Sequence, residues 1–80
     1  MFYTYIMLTG RKDYQIGVTT SLVHRKKILC SHDPGCRVVY YEEYETSEEA
    51  TRRENMLLEL PQSLLKELID ETNPMRVNLI

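Results

Sequence analysis

The first part of the chain alternates between apolar runs and short polar breaks, a pattern that is typical of β-strands. Phe2–Leu8 is apolar and aromatic on both faces, which predicts a strand buried in the middle of a sheet. The polar residues 9–13 interrupt this run, and Tyr14–Thr19 follows as a second strand. We therefore expect a hairpin with a loop of about five residues.

Helical spacing begins after the second strand. Residues 19–21 offer three side chains that can cap a helix, which is expected to continue to about Leu29. The segment at residues 31–35 contains proline and glycine and ends this helix. Residues 36–44, with an apolar centre, form a third predicted strand.

Two more helices follow the third strand. Thr46 and Glu49 form a capping-box pattern, which predicts a helix that continues to about Glu59. Residues 61–70 form the last predicted helix, because a proline suits its first turn. The order β-β-α-β-α-α predicts a single α/β (α+β) domain over residues 1–80, in which helices flank a three-stranded antiparallel sheet.

The composition is that of an ordinary globular protein, with 42% apolar and 28% charged residues. No apolar run reaches the length of about 18 residues that a membrane span needs, and the N-terminus lacks a basic leader, so we expect no membrane association and a cytoplasmic location. The net charge of −2 disfavours nucleic-acid binding, which relies on clustered Lys and Arg. The best local basic stripe is residues 24–27.

The two cysteines, Cys30 and Cys36, are predicted to be separate, reduced thiols on either side of a loop, as is usual in the cytosol. With His32 they offer three metal ligands, but their spacing is not that of a zinc site.

Glu54 is the first candidate for chemistry. At 100° per residue it falls inside the arc that Ala50, Leu57 and Leu58 form on the second helix. A carboxylate on the core side is costly unless it is paired or holds a metal. Two interpretations stand: Glu54 pairs with an arginine, or it holds one Mg²⁺ (or Mn²⁺) ion, which often keeps several waters and few protein ligands.

Arg25 lies on the first helix between Leu22 and Leu29 and should lean toward the sheet. A guanidinium in that position can hold a phosphate through two parallel hydrogen bonds, or it can pair with a glutamate. Lys26 and Lys27 are expected to be surface charges or non-specific phosphate contacts.

The remaining candidates are tyrosines and two residues with backbone roles. Tyr3, Tyr5 and Tyr14 could pack in the sheet, or one could act as a general base if a nearby cation lowered its pKa. Gly17 in a strand indicates a bulge or a close approach by another backbone or by a ligand, so it is a candidate substrate-binding residue. Asn73 could contact substrate, close the last helix or fix the C-terminal segment.

In their order and spacing, these residues resemble the GIY-YIG nuclease family in its small single-domain form. The resemblance spans nearly the whole chain and rests on Tyr3-Thr4-Tyr5, Gln15-Ile16-Gly17, Arg25, Arg52-Arg53-Glu54 and Asn73-Pro74. It implies a Mg²⁺-dependent endonuclease that hydrolyses DNA phosphodiester bonds, as in DNA repair. Tyr5 would activate water, Arg25 would stabilise charge on the phosphate, and Glu54 would hold the metal.

The chain departs from the family pattern in its second motif. The family has a tyrosine two places before the glycine, where this chain has Gln15, and Tyr14 comes one place too early. Strand alternation puts these two side chains on opposite faces, so only a one-residue bulge would bring Tyr14 into the site. Leu29 also stands where a histidine is common. The alternative function is a catalytically degenerate module that binds nucleic acid or a protein partner, or that forms a homodimer.

Overall fold

Three antiparallel strands and three helices make up the protein, and a computed structural model describes all of residues 1–80. The strands are β1 (Phe2–Leu8), β2 (Tyr14–Thr19) and β3 (Arg37–Tyr44), and the helices are α1 (Leu22–Leu29), α2 (Ser47–Glu59) and α3 (Gln62–Thr72). This α+β fold has the predicted order of elements. The sheet order β2-β1-β3 confirms that the apolar β1 is the central strand.

Strand alternation divides the core between the two faces of the sheet. Ile6 and Leu8 of β1 pack in one apolar cluster with residues of α2 and α3. Tyr5 and Met7 belong to the cluster on the other face, with Leu22 of α1. The pairing of β1 with β2 is regular from end to end, whereas the pairing of β1 with β3 shifts register between Ile6 and Met7.

The helices begin where their capping residues predict. Ser21 accepts a hydrogen bond from the backbone N–H of His24 at the start of α1. Thr46 accepts one from the backbone N–H of Glu49 at the start of α2, and its hydroxyl donates to the Glu49 carboxylate at 2.9 Å. The two bonds from backbone N–H satisfy groups that the first helical turn leaves unpaired. Pro61 precedes α3 as its N-cap residue, which moves the predicted start of this helix by one residue.

A polar cluster centred on Glu42 holds α2 on β3. The Glu42 carboxylate accepts hydrogen bonds from Tyr40, from Tyr44 at 2.5 Å and from Arg53 at 2.9 and 3.1 Å. Burial alone would raise the pKa of Glu42, but these three partners together lower it. Burial and the bond to Glu42 raise the pKa of Tyr40 to about 12. The cluster therefore keeps one charge pair and two neutral phenols at neutral pH.

The cysteines are not separate thiols, which corrects the prediction. Cys30 caps the end of α1, Cys36 directly precedes β3, and their Cα atoms lie 5.4 Å apart in a disulfide. The prediction was wrong because it rested on compartment alone, whereas the turn at residues 31–35 brings the two side chains together. Asp33 reinforces that turn, since its carboxylate accepts from Gly10 N–H at 2.9 Å and Gly35 N–H at 3.1 Å.

The segment after α3 returns along the outer edge of β3. The backbone N–H of Leu79 donates to Val38 O at 2.9 Å, and Val38 N–H donates to the Asn78 side chain at 3.1 Å. These bonds occupy groups that an edge strand otherwise leaves unpaired. No helix in the protein combines the length and the apolar character that crossing a membrane requires.

Candidate functional site

The side chain of Tyr5 lies across Gly17 on the neighbouring strand. The two residues are direct cross-strand partners, and a Cβ built on Gly17 would stand 2.7 Å from Tyr5 Cζ and 3.0 Å from Cε2. Any side chain at this position would therefore push the ring away. Gly17 is needed for the close approach of the Tyr5 ring, whereas the predicted close approach was by a backbone or a ligand; the regular pairing of β1 and β2 excludes the predicted bulge.

Arg25 and Glu54, on different helices, lie near enough to Tyr5 for their charges to affect its hydroxyl. Tyr5 is only 4% exposed, and this burial is the main reason why its pKa is raised. The positive charge of Arg25 acts on the same hydroxyl and lowers the pKa, while the negative charge of Glu54 raises it. The fold therefore brings together a phenol, a guanidinium and a carboxylate that are widely separated in the sequence.

Neither charged side chain of this trio is neutralised by another residue. The two ion pairs of the protein lie elsewhere, between Arg53 and Glu42 and between Arg76 and Asp70. Arg25 and Glu54 are both half-buried, so their charges are only partly hydrated. The predicted alternative, in which these residues pair with a neighbouring charge, is not what the structure shows. An unpaired guanidinium can hold a phosphate, and an unpaired carboxylate can hold a cation.

A metal ion beside Tyr5 would find few ligands from the protein. No group of three or more His, Cys, Asp or Glu side chains is placed to hold a metal ion. Zinc sites usually need three or four such ligands, whereas Mg²⁺ is commonly bound by one or two carboxylates together with water and substrate phosphates. Glu54, with its carboxylate oxygens free of protein donors, would be the residue that holds it.

Tyr14 lies outside the site, which corrects its prediction as a catalytic residue. Because β1 and β2 pair without a bulge, Tyr14 is on the face opposite to Tyr5 and packs against the cluster of Ile6 and Leu8. Its hydroxyl accepts a hydrogen bond from Arg76 Nε at 3.3 Å. Gln15 takes its place on the Tyr5 face, where its side chain is exposed.

Tyr3 is on the Tyr5 face but is engaged with β3. Its hydroxyl donates to Glu43 at 3.2 Å, and its ring packs edge-to-face with Tyr41 at a centroid distance of 6.0 Å. The bond to Glu43 is the main reason why the pKa of Tyr3 is raised. These contacts give Tyr3 a packing role. Tyr5 is the tyrosine whose pKa is affected by the charges of both Arg25 and Glu54.

Asn73 has a structural role, which is one of the roles that its position predicts. The residue is only 3% exposed, and its side-chain amide donates to Val39 O at 3.1 Å and to Val77 O at 2.8 Å. Its side-chain oxygen accepts from Val77 N–H at 3.1 Å. Because both amide N–H groups are occupied, Asn73 fixes the C-terminal segment to β3 and is not free to bind substrate.

Arg25 opens onto a groove of about 460 Å³ at the end of β2. Its walls come from β1, β2, α1 and the first residue of α2, and include Phe2, Val18, Thr19, His24, Ile28 and Ser47. Lys26 and Lys27 line a different cavity, next to Cys30 and the C-terminal Ile80, so they do not share the Arg25 groove. Sequence reasoning missed Phe2, because nothing in its local pattern distinguishes it from other strand residues.

Compared with known proteins, this chain matches no family model, no curated protein and no solved structure.

Proposed function

We propose that this protein is a Mg²⁺-dependent endonuclease that hydrolyses phosphodiester bonds in DNA, with a site of the GIY-YIG type. The observation that carries the proposal is that Tyr5 is buried against Gly17 and that the charges of Arg25 and Glu54, neither of which is in an ion pair, both act on its hydroxyl. Hydrolysis of a phosphodiester needs positive charge on the phosphate, a metal ligand and a group that handles the proton of water. The three side chains correspond to these needs.

In this mechanism Arg25 binds a non-bridging phosphate oxygen and stabilises the negative charge that grows during attack. Glu54 would hold a divalent cation, which would supply further positive charge beside the phosphate. As a phenolate, Tyr5 could orient the attacking water and accept its proton; its own proton would first pass to solvent. Burial raises the pKa of Tyr5 although the charge of Arg25 lowers it, so the phenolate would form only with further positive charge nearby.

The first test is Mg²⁺-dependent nicking of supercoiled plasmid and of branched DNA by the wild type and by Glu54→Gln. We expect the wild type to cleave at least one substrate, and the variant to lose cleavage while it keeps its circular dichroism spectrum and melting temperature. Glu59→Gln is the matched control, because Glu59 is an exposed carboxylate on the same helix. Equal cleavage by the wild type and Glu54→Gln would assign the activity to a contaminant or to another site.

Arg25→Gln adds a second, independent test of the same site. Removing one group that stabilises transition-state charge commonly lowers turnover by about 100-fold or more. We expect a loss of this size in Arg25→Gln and little change in Lys27→Gln, since Lys27 lines a different cavity. A similar loss in both variants would indicate general phosphate attraction and would count against a specific role for Arg25.

The exposed Gln15 favours a second candidate function, a degenerate module that binds nucleic acid without cleaving it. Gln15 occupies the place at which the GIY-YIG pattern has a tyrosine, and an amide cannot act as a base. On this alternative, folded wild type binds DNA with an affinity that falls steeply with salt and cleaves nothing. Absence of such binding as well would point to a protein partner or to a homodimer.

A further inference from the structure

The groove beside Arg25 is lined by both basic and apolar residues. Arg25 and His24 contribute nitrogen donors, while Phe2, Val18 and Ile28 contribute apolar surface. Ile28 is 56% exposed and Phe2 is half-buried, so both side chains can still cover apolar surface of a ligand. A nucleotide offers a partner for both kinds of residue, because it has an anionic phosphate and a flat, largely apolar base.

The size of the groove fits one nucleotide and not a duplex. Its volume of about 460 Å³ lies in the range of small-ligand pockets. A duplex needs a long surface on which many phosphates meet Lys and Arg. Here the groove ends on one side at Ser47, the first residue of α2, so it has room for a single nucleotide taken out of a duplex.

We propose that this groove holds one unpaired nucleotide beside the cleavage site, with its base on Phe2 and Ile28 and its phosphate on Arg25. The inference rests on the proposed function, because Arg25 belongs to both the groove and the trio. It names the substrate class as DNA with a single unpaired or extruded nucleotide. Stacking of a base on an aromatic ring does not depend on which base it is, so the groove selects DNA structure and not sequence.

The test measures binding without chemistry, in a buffer in which EDTA removes divalent metal ions. Two short duplexes are compared: one carries a fluorescent adenine analogue as an extra, unpaired nucleotide, and the other carries it paired with thymine. We expect the wild type to bind the first duplex about tenfold more tightly and to change its fluorescence, as expected when a base stacks on an aromatic side chain.

Three variants assign the effect to the groove. Phe2→Leu keeps an apolar side chain but removes the ring, and we expect it to lose most of the tenfold preference and keep the affinity for the paired duplex. Phe2→Tyr keeps the ring and should keep the preference. Leu64→Ala is the control, because Leu64 is a 46% exposed apolar residue on α3, away from the groove. Equal binding of the two duplexes, or an unchanged preference in Phe2→Leu, would overturn the proposal.

Cleavage assays on the same duplexes separate this proposal from the nuclease proposal. If both duplexes are cleaved equally and Phe2→Leu has no effect, the groove proposal fails and the nuclease proposal stands. If the unpaired duplex binds through Phe2 but is not cleaved with Mg²⁺, the groove proposal stands and the nuclease proposal fails.

Discussion

The contact between Tyr5 and Gly17 determines where the phenol of the site can lie. Gly17→Ala places a methyl group within 2.7 Å of Tyr5 Cζ, so the ring must move away from its position over β2. We expect a loss of about 1–3 kcal/mol in the free energy of unfolding, which is typical of overpacking, and a large loss of cleavage. Urea denaturation and plasmid nicking measure the two effects.

A double-mutant cycle tests whether the ring is the cause. In a Tyr5→Leu background the ring is absent, so Gly17→Ala should destabilise the protein much less than it does in the wild type. The expected coupling energy is about 1 kcal/mol or more, as for residues in direct contact. Additive effects of the two substitutions would mean that Gly17 matters through its backbone and not through Tyr5.

At the scale of elements, patterns within a few residues predicted most of the fold. The run Phe2–Leu8 is apolar on both faces. Because a central strand is the one that buries both faces, this run could be predicted as the middle strand of the sheet. The capping residues Ser21 and Thr46 placed two helix starts. The Cys30–Cys36 disulfide could not be predicted from the sequence, because it depends on the conformation of the loop and not on a local pattern.

Besides the disulfide at its C-terminal end, helix α1 has little buried surface that would hold it on the sheet. It has eight residues, of which only Leu22 is buried, and helices shorter than about 12 residues are marginal on their own. We expect Cys30→Ser/Cys36→Ser to lower the free energy of unfolding by about 2 kcal/mol. Amide hydrogen exchange should become faster in α1 and stay nearly unchanged in β1.

Reductant provides the matched control for this prediction. Adding dithiothreitol to the wild type should reproduce the faster exchange in α1, and adding it to the double variant should change nothing further. Unchanged exchange in α1 after reduction would show that Leu22 is sufficient to hold the helix on the sheet. Since Arg25 lies on α1, cleavage should fall together with the protection of that helix.

At the scale of the whole molecule, the candidate site was only partly predictable. Arg25 and Glu54 could be selected from a helix face and an arc of apolar residues, whereas only the resemblance to the GIY-YIG pattern distinguished Tyr5 from the other tyrosines. The face of the sheet on which Tyr14 lies could not be predicted. A bulge of one residue in β2 would move Tyr14 to the other face, and the sequence does not show whether β2 has one. Phe2 could not be predicted as a groove residue, because the groove forms only when α1 and the start of α2 pack near one end of the sheet.

The C-terminal segment gives the last prediction, because it covers the edge of the sheet that lies away from the site. Deleting residues 77–80 removes the bond from Leu79 N–H to Val38 O and the bond from Val38 N–H to Asn78. The exposed edge of β3 should then pair with another copy. We expect sedimentation coefficients that rise with concentration, together with a lower melting temperature. Ile80→Ala keeps the backbone and both bonds and should leave both quantities as in the unaltered chain. An unchanged sedimentation coefficient in the longer deletion would mean that β3 resists pairing without its cover.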